Sequence, residues 1–450
     1  MTDSATRFVP AHPPRPETFG PWWSGFFGER ARNSVAGWSK LAFEQWHVRR
    51  RMMRLVIHFP RHPDAVERVL LTNAANYQKP RIIKKLLMPM LGRGLLTADG
   101  ELWRSQRKVV APSFAPGAVA RLAGTMAGAA ERQMADWPTS GRIDIAHAAT
   151  ETTMRIIADA LFSDDARLTT AEASRHITAA LEAAGAARLS ALFGLNPLPI
   201  TRSVRVGQRG RRYLRETLTS IVRERGPEGG DDFLGGMIRD LNARFPPAEA
   251  TMLAIDNAAT FYLAGHETTA NALAWAIYLL AGDQRAQDRA RNEALAAVAG
   301  DPATLADRLP YLRQVLDETL RLYPPAPRFD REAVAADMLH GEPVGPGDLV
   351  SIWPWLIHRH RQLWDDADAF DPERFAPGRE AARHRFQYIP FGAGPRTCVG
   401  ARFAIVEALV ILTHWLSARR FALVEGHTVE LHGSVTLRPK GGLPVMVSAI

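Results

Sequence analysis

A run of 34 residues, Ala248 to Ala281, keeps a helical apolar pattern without a break. Pro246-Pro247 opens it and Gly282 stops it. At 1.5 Å per residue such a helix is ~50 Å long, more than the diameter of a small domain. Between Ala258 and Leu280 it is apolar on most faces, so it must run through the centre of the protein. Whatever the chain folds into is built around that rod, which selects a helix-dominated architecture. With 450 residues, 46% of them hydrophobic, there is enough apolar surface to enclose the rod, and a disordered chain is excluded.

Further helical patterns cover Gly100–Pro112, Ala118–Trp137, Ala146–Phe162, Ala171–Phe193, Val204–Arg225, Gln284–Val298 and Ala306–Leu322, the last ended by Pro324-Pro325. Gly194 to Ser203 reads as a proline-containing connection within an antiparallel helical flap. Strand-like segments are short. They are Arg54–Phe59, Leu349–Trp353 after the turn Val344-Gly-Pro-Gly-Asp348, and Val435–Leu437 and Val445–Ser448 around Lys440-Gly441-Gly442. Gln78 to Gly100, with Pro89 and paired lysines at 84 and 85, reads as an irregular apolar loop bordering a cavity. The pattern predicts a mainly α protein with small β-sheets. Residues 1–40 read as an N-terminal extended arm, with the aromatic cluster Phe19 to Phe27 packed on the body, and 41–450 as one domain.

The lone cysteine excludes an intramolecular disulfide and any four-cysteine zinc or iron–sulfur site, and is consistent with a reducing compartment. Fifty-six Lys and Arg against 47 Asp and Glu leave a net +9, which favours an acidic partner through long-range steering. The basic residues are scattered and no nucleic-acid-binding motif accompanies them. No signal-type segment and no uncharged apolar window of 18 residues is found. The expectation is a soluble, cytoplasmic protein without a transmembrane segment or nucleic-acid partner.

Cys398 lies in Pro390-Phe-Gly-Ala-Gly-Pro-Arg-Thr-Cys-Val-Gly400, a turn-rich loop at the mouth of a helical run, Ala401 to Leu416. Unpaired N–H groups and the positive dipole end there favour a thiolate. A small buried apolar residue is the alternative role for a lone cysteine. Midway along the rod stands Ala264-Gly-His-Glu-Thr-Thr269. A helix-interior glycine costs ~1 kcal/mol relative to alanine, so Gly265 implies something large approaching the backbone. Thr268 alone would be a back-bonding threonine, but an acid beside an alcohol inside a buried helix needs a use or a partner. Glu318 and Arg321, three apart on a helix, read singly as an ordinary ion pair.

Phe391, Gly394, Arg396, Cys398 and Gly400 fit Phe-x-x-Gly-x-Arg-x-Cys-x-Gly, which resembles the haem-thiolate loop of the cytochrome P450 family. The run from Ala264 to Thr269 resembles that family's oxygen-activation motif. Glu318-x-x-Arg321 with Pro372-Glu-Arg374-Phe is similar to its supporting network. Together these span Arg54 to Val447. The resemblance implies the single-domain P450 fold, haem b with Cys398 as axial thiolate, and proton delivery by Glu267 and Thr268. It implies haem contacts from Phe391, Gly400, Ala264 and Gly265, and propionate contacts from Trp103, Arg107, Arg331 and Arg396. It assigns Glu318, Arg321 and Arg374 to folding and haem retention, and makes His266 no metal ligand. Ile82, Leu86, Leu87, Leu263, Ala264, Thr268, Ala326 and Phe329 are the implied substrate pocket, apolar enough for a lipophilic substrate. No Gly-x-Gly-x-x-Gly or flavin segment accompanies the motifs, so electrons are expected from a separate ferredoxin or flavodoxin, docking near Arg104, Lys108 and Arg402 on a monomer. A peroxide-driven peroxygenase, a haem-thiolate isomerase or dehydratase, and a non-catalytic haem sensor are the rival functions.

Overall fold

The central helix runs Pro247–Gly282, 36 residues, with Pro247 in its first turn where the missing N–H costs nothing. The computed structural model describes residues 7–20, 29, 32–52, 55–163, 165–170, 172–173, 175–176, 179–180, 202–230 and 232–449. The aromatic residues of 21–27, most of the helix expected over Ala171–Phe193 and nearly all of the connection 194–203 lie outside them. The chain divides into two units, Met1–Gln78 with Met126–Thr152 and Thr268–Ile450, and Lys79–Thr125 with Thr153–Glu267.

The first unit holds all the described strands. In chain order they are β1 (His47–Met52), β2 (Leu55–Pro60), β3 (Tyr77–Gln78), β4 (Ser140–Asp144), β5 (Phe329–Ala333), β6 (Asp337–Leu339), β7 (Glu342–Val344), β8 (Leu349–Ile352), β9 (Arg419–Leu423), β10 (Leu431–Gly433), β11 (Leu437–Pro439) and β12 (Pro444–Ala449). A five-stranded sheet has the order β1-β2-β8-β5-β3, with only β2 and β8 parallel. Sequence reading misses β1 because Arg49-Arg50-Arg51 hides any apolar alternation. Lys440-Gly441-Gly442 does not close a hairpin. β11 pairs with β10, whereas β12 lies between β4 and β9, so the turn carries the chain from one sheet to another. Gly442 is required there: its φ is +93°, and a Cβ would stand 2.2 Å from Asp144 Oδ2.

Residues 7–20 carry no regular structure and are tied to this unit as an extended arm. Phe8 meets Tyr278 edge to face at 5.8 Å, Ala11 N–H donates to Tyr278 Oη (3.1 Å), and Tyr323 Oη donates to Ala11 O (2.7 Å). Arg15 reaches Asp368 with two 2.6 Å hydrogen bonds and lies 4.0 Å over the Phe43 ring. The helix Ala401–Ala418 is long and apolar enough to cross a membrane by length and composition, yet 67% of it is buried. It is a core helix.

The second unit is helical. Arg81–Leu91 is a helix, not the irregular loop expected between Gln78 and Gly100. Pro89 is tolerated because it sits in the last turn, two residues before the end, so no long stretch of ladder follows the lost hydrogen bond. The segment after it is clamped by buried polar groups. Asn257 Nδ2 donates to Gln106 Oε1 (2.7 Å), Asn257 Oδ1 accepts from Leu95 N–H (2.8 Å), and Gln106 Nε2 donates to Arg93 O (2.9 Å). Beside it, Asp256 accepts from Arg93 N–H (2.7 Å) and from Arg215 (2.5 Å). Phe114, Phe233 and Phe261 stack their edges around this region at 5.3–5.7 Å.

Asn257→Leu keeps the branched shape but leaves the Leu95 N–H and the Gln106 Oε1 without their partners. It should destabilise the fold by about 2–4 kcal/mol, read as a lowered denaturation midpoint; an unchanged midpoint would remove the clamp from the argument.

Candidate active site

The cysteine loop is built from its backbone outward. Cys398 N–H donates to Phe391 O (2.9 Å), Thr397 N–H to Gly394 O (3.1 Å), and Gly392 N–H to Ile389 O (3.0 Å). Gly392 and Gly394 both have φ of +68°. Gly394 has a second reason: a Cβ would lie 1.8 Å from the Leu70 carbonyl oxygen, so only glycine lets the loop pack on the turn Arg68–Thr72. Gly400 is the N-cap of Ala401–Ala418, which puts Cys398 at that helix mouth. Arg396 and Phe391 are half-buried in the same loop.

A buried charge hub stands behind it. Arg321 is 0% exposed and gives Nε and Nη2 to the two oxygens of Glu318 at 2.6 and 2.8 Å. Its remaining donors go to the carbonyls of His358 (2.8 Å), Ala367 (2.7 Å) and Ala369 (3.0 Å). Glu318 Oε1 also accepts from Asp371 N–H (2.9 Å), and Arg374 Nε approaches it at 3.4 Å. The structure thus brings Glu318, Arg321 and Arg374 together. Losing one member of such a network strands a buried charge at a cost of ~3–5 kcal/mol. From the hub the path to the loop is short. His358 Nε2 accepts from Ile389 N–H (2.9 Å), one residue before Pro390. Burial, with Arg321 and Arg359 nearby, holds His358 down at about 3, so it stays neutral and keeps that lone pair.

On the central helix, every residue from Leu253 to Ala281 is buried except Ala264, Gly265, Glu267 and Thr268. The one break in the burial of the rod therefore falls on the acid–alcohol motif. What approaches Gly265, within the second unit, is Ile157, whose Cδ1 would be 2.7 Å from an added Cβ. His266 is buried; its Nδ1 donates to Tyr262 O (2.6 Å), and burial lowers its pKa, so it is a neutral structural ring.

The other predicted residues divide between the units. In the first, Arg331 and Phe329 lie half-buried on β5, with Arg331 Cζ 5.6 Å from the Phe329 ring, and Ala326 is half-buried just before them. In the second, Trp103 and Arg107 are half-buried one turn apart on the helix Gly100–Val110. Ile82, Leu86 and Leu87 are half-buried on Arg81–Leu91, and Leu263 is buried. Of the residues expected at a docking face, Arg104 pairs with Glu101 (3.2 Å), Arg402 with Asp307 (3.5 Å), and Lys108 is exposed. Such exposed pairs exchange partners at little cost.

Among the described residues, Asp64, Glu67 and His384 converge as a possible cation trio. The imidazole argues against it. His384 Nδ1 accepts from Phe386 N–H (3.1 Å), so the neutral ring carries its proton on Nε2, which faces Asp64 at 3.3 Å as a donor. A metal would need that lone pair.

Sequence reading passed over Glu407, which an apolar helix conceals. It is 0% exposed, and neither carboxyl oxygen finds a donor in hydrogen-bond geometry. Thr269 is close enough to favour the ionised form slightly, but burial dominates and pushes the carboxyl from its ordinary 4.5 up to about 8. The folded state therefore holds a proton that the unfolded chain releases near 4.5. This contribution to stability is complete below that pH and is lost as pH rises through about 8. Glu407→Gln should flatten that decline, gaining roughly 3 kcal/mol relative to the parent between pH 6 and 9. Denaturant titrations across this range check it; parallel pH profiles would refute it.

A thiol at a helix mouth, a loop shaped by glycines and a buried hub behind it fit a haem-thiolate site, whose iron takes a soft sulfur donor. Comparison with known proteins agrees. Residues 42–443 match the family model for cytochrome P450. The chain is 32% identical over 397 residues to cyclooctatin synthase from Streptomyces melanosporofaciens, covering 85% of this chain and 84% of that protein. Cyclooctat-9-en-7-ol 5-monooxygenase from the same organism is 30% identical over 372 residues, 82% and 81% covered. Human cytochrome P450 4F8 is 29% identical over 422 residues, 86% and 80% covered. The chain belongs to the cytochrome P450 family, whose members hold a haem iron by a cysteine thiolate, and it is a monooxygenase with that family's fold.

Proposed function

We propose that this monooxygenase hydroxylates or epoxidises a lipophilic organic substrate, taking two electrons from a separate ferredoxin- or flavodoxin-type protein. The observation that carries the reading is the break in burial at Ala264, Gly265, Glu267 and Thr268, which presents an acid and an alcohol from the middle of an otherwise enclosed helix. A relative whose name describes oxidation of a cyclooctat-9-en-7-ol supports a largely apolar substrate. So do the apolar side chains Ile82, Leu86, Leu87, Leu263, Ala326 and Phe329.

In this reading Cys398 is the residue that holds the haem iron, and the thiolate-bound haem supplies activation of dioxygen. Trp103, Arg107, Arg331 and Arg396 provide an indole N–H and three guanidinium groups suited to the two carboxylates of such a group. Phe391 and Gly400 flank the sulfur in sequence, and Ala264 gives a helix surface with almost no side chain for a flat cofactor; Gly265, expected beside it, is instead covered by Ile157. Thr268 Oγ holds a water or the oxygen substrate by hydrogen bond, and the Glu267 carboxyl passes protons to that position from solvent. The hub of Glu318, Arg321 and Arg374 keeps the cysteine loop in place and takes no part in turnover.

The reduced protein under carbon monoxide should show a thiolate-type Soret band that Cys398→Ser abolishes. Thr268→Ala should keep the band but lower product formed per electron pair by about tenfold or more. Full product yield from peroxide alone, unaffected by Thr268→Ala, would favour a peroxygenase instead. Docking of an acidic donor by basic residues such as Arg104, Lys108 and Arg402 predicts electron transfer that slows as ionic strength rises; a salt-independent rate would remove electrostatic docking.

A further inference from the structure

His266 and Thr153 have no place in the mechanism above, yet both spend hydrogen bonds on the turn that carries it. Thr153 Oγ, on the helix Ile145–Phe162, donates to His266 O at 3.0 Å, and both residues are buried. His266 Nδ1 donates to Tyr262 O at 2.6 Å, and the acceptor-only carbonyl fixes the proton on Nδ1. A regular helix gives each of these carbonyls to the amide four residues on. Here each is shared with a side chain, one from within the helix and one from outside it. Sharing of this kind loosens and bends a helical ladder locally.

The position of these bonds is specific. The carbonyl that Thr153 holds belongs to the peptide joining His266 to Glu267, so its direction sets the plane from which Glu267 departs. The same face is closed by Ile157 against Gly265. One turn back, Tyr262 is fixed by its hydroxyl donating to Leu168 O, with the Phe162 ring edge-on at 5.9 Å. The turn is thus gripped from one side, while Ala264, Gly265, Glu267 and Thr268 break its burial.

We propose that Thr153 and His266 are positioning residues for oxygen chemistry: by holding the carbonyls of His266 and Tyr262 they fix the peptide that presents Glu267 and Thr268. The inference rests on the reading of Glu267-Thr268 as the proton-delivering pair, and the test separates the two. Thr153→Val and His266→Phe remove the donors at nearly constant shape. Thr153→Ser and His266→Asn keep a donor at the same place.

Two quantities are measured on the holoenzyme. One is amide hydrogen exchange over residues 262–268. The other is peroxide released per electron pair consumed with a ferredoxin and its reductase, with Thr268→Ala as the reference. Thr153→Val and His266→Phe should each speed exchange in that segment by about tenfold, the loss of one good hydrogen bond. They should also raise the peroxide fraction, while Thr153→Ser and His266→Asn stay close to the parent in both. Faster exchange with an unchanged peroxide fraction would make the two residues plain packing groups and overturn the proposal. So would unchanged exchange. A Thr268→Ala variant that releases no extra peroxide would instead sink the underlying assignment of the pair.

Discussion

The guanidinium of Arg321 is the constraint on which the rest depends. A fully buried cation is costly unless its donors are met, and here Glu318 and the carbonyls of His358, Ala367 and Ala369 meet them. Those carbonyls belong to stretches with little regular structure, which gain their shape by converging on one planar group. His358 then passes that order to Ile389, and the cysteine loop begins at the next residue. The hub therefore stabilises less by its own net energy than by giving irregular backbone one geometry.

The parts legible in sequence were those whose local chemistry has few uses. The central helix was readable because 34 apolar-patterned residues between Pro-Pro and Gly admit little else, and its observed ends differ by one residue each. The cysteine loop was readable because its glycines serve backbone needs; the contact of Gly394 with Leu70 shows how literal those needs are. The segment from Gln78 to Gly100 reads as a loop because Pro89 and two lysines look like local breakers, whereas a proline in a last turn is nearly harmless. The helix expected from Ala306 begins at Pro310, after a short helix Pro302–Leu305 and a tight turn, because Pro310 suits a first turn better than an interior.

What was not legible lies in tertiary placement. Gly265 reads in sequence as space for something large; in the structure Ile157, on another helix of the same unit, supplies that neighbour. Nothing in the motif announces Thr153, because its partner is a backbone carbonyl 113 positions away. Asn257 and Gln106 likewise look like interchangeable amides until the fold sets them to close the chain at Leu95 and Arg93. Polar residues that serve distant backbone leave no periodicity, so pattern reading passes over them.

Glu407 has a consequence of another kind. The helix that carries it has the length and apolarity of a bilayer-crossing segment. A nascent chain that met the insertion machinery would have no folded core to hide in, and there each ionisable side chain near a helix centre would count against lateral release into lipid. For residues such as aspartate or arginine that penalty is about 2.5–3.5 kcal/mol. With Arg402 in its first turn and Glu407 nearer its middle, Ala401–Ala418 carries a built-in argument against being taken for a span. A carboxyl that is awkward inside the finished protein would thus weigh against its helix being taken into a membrane.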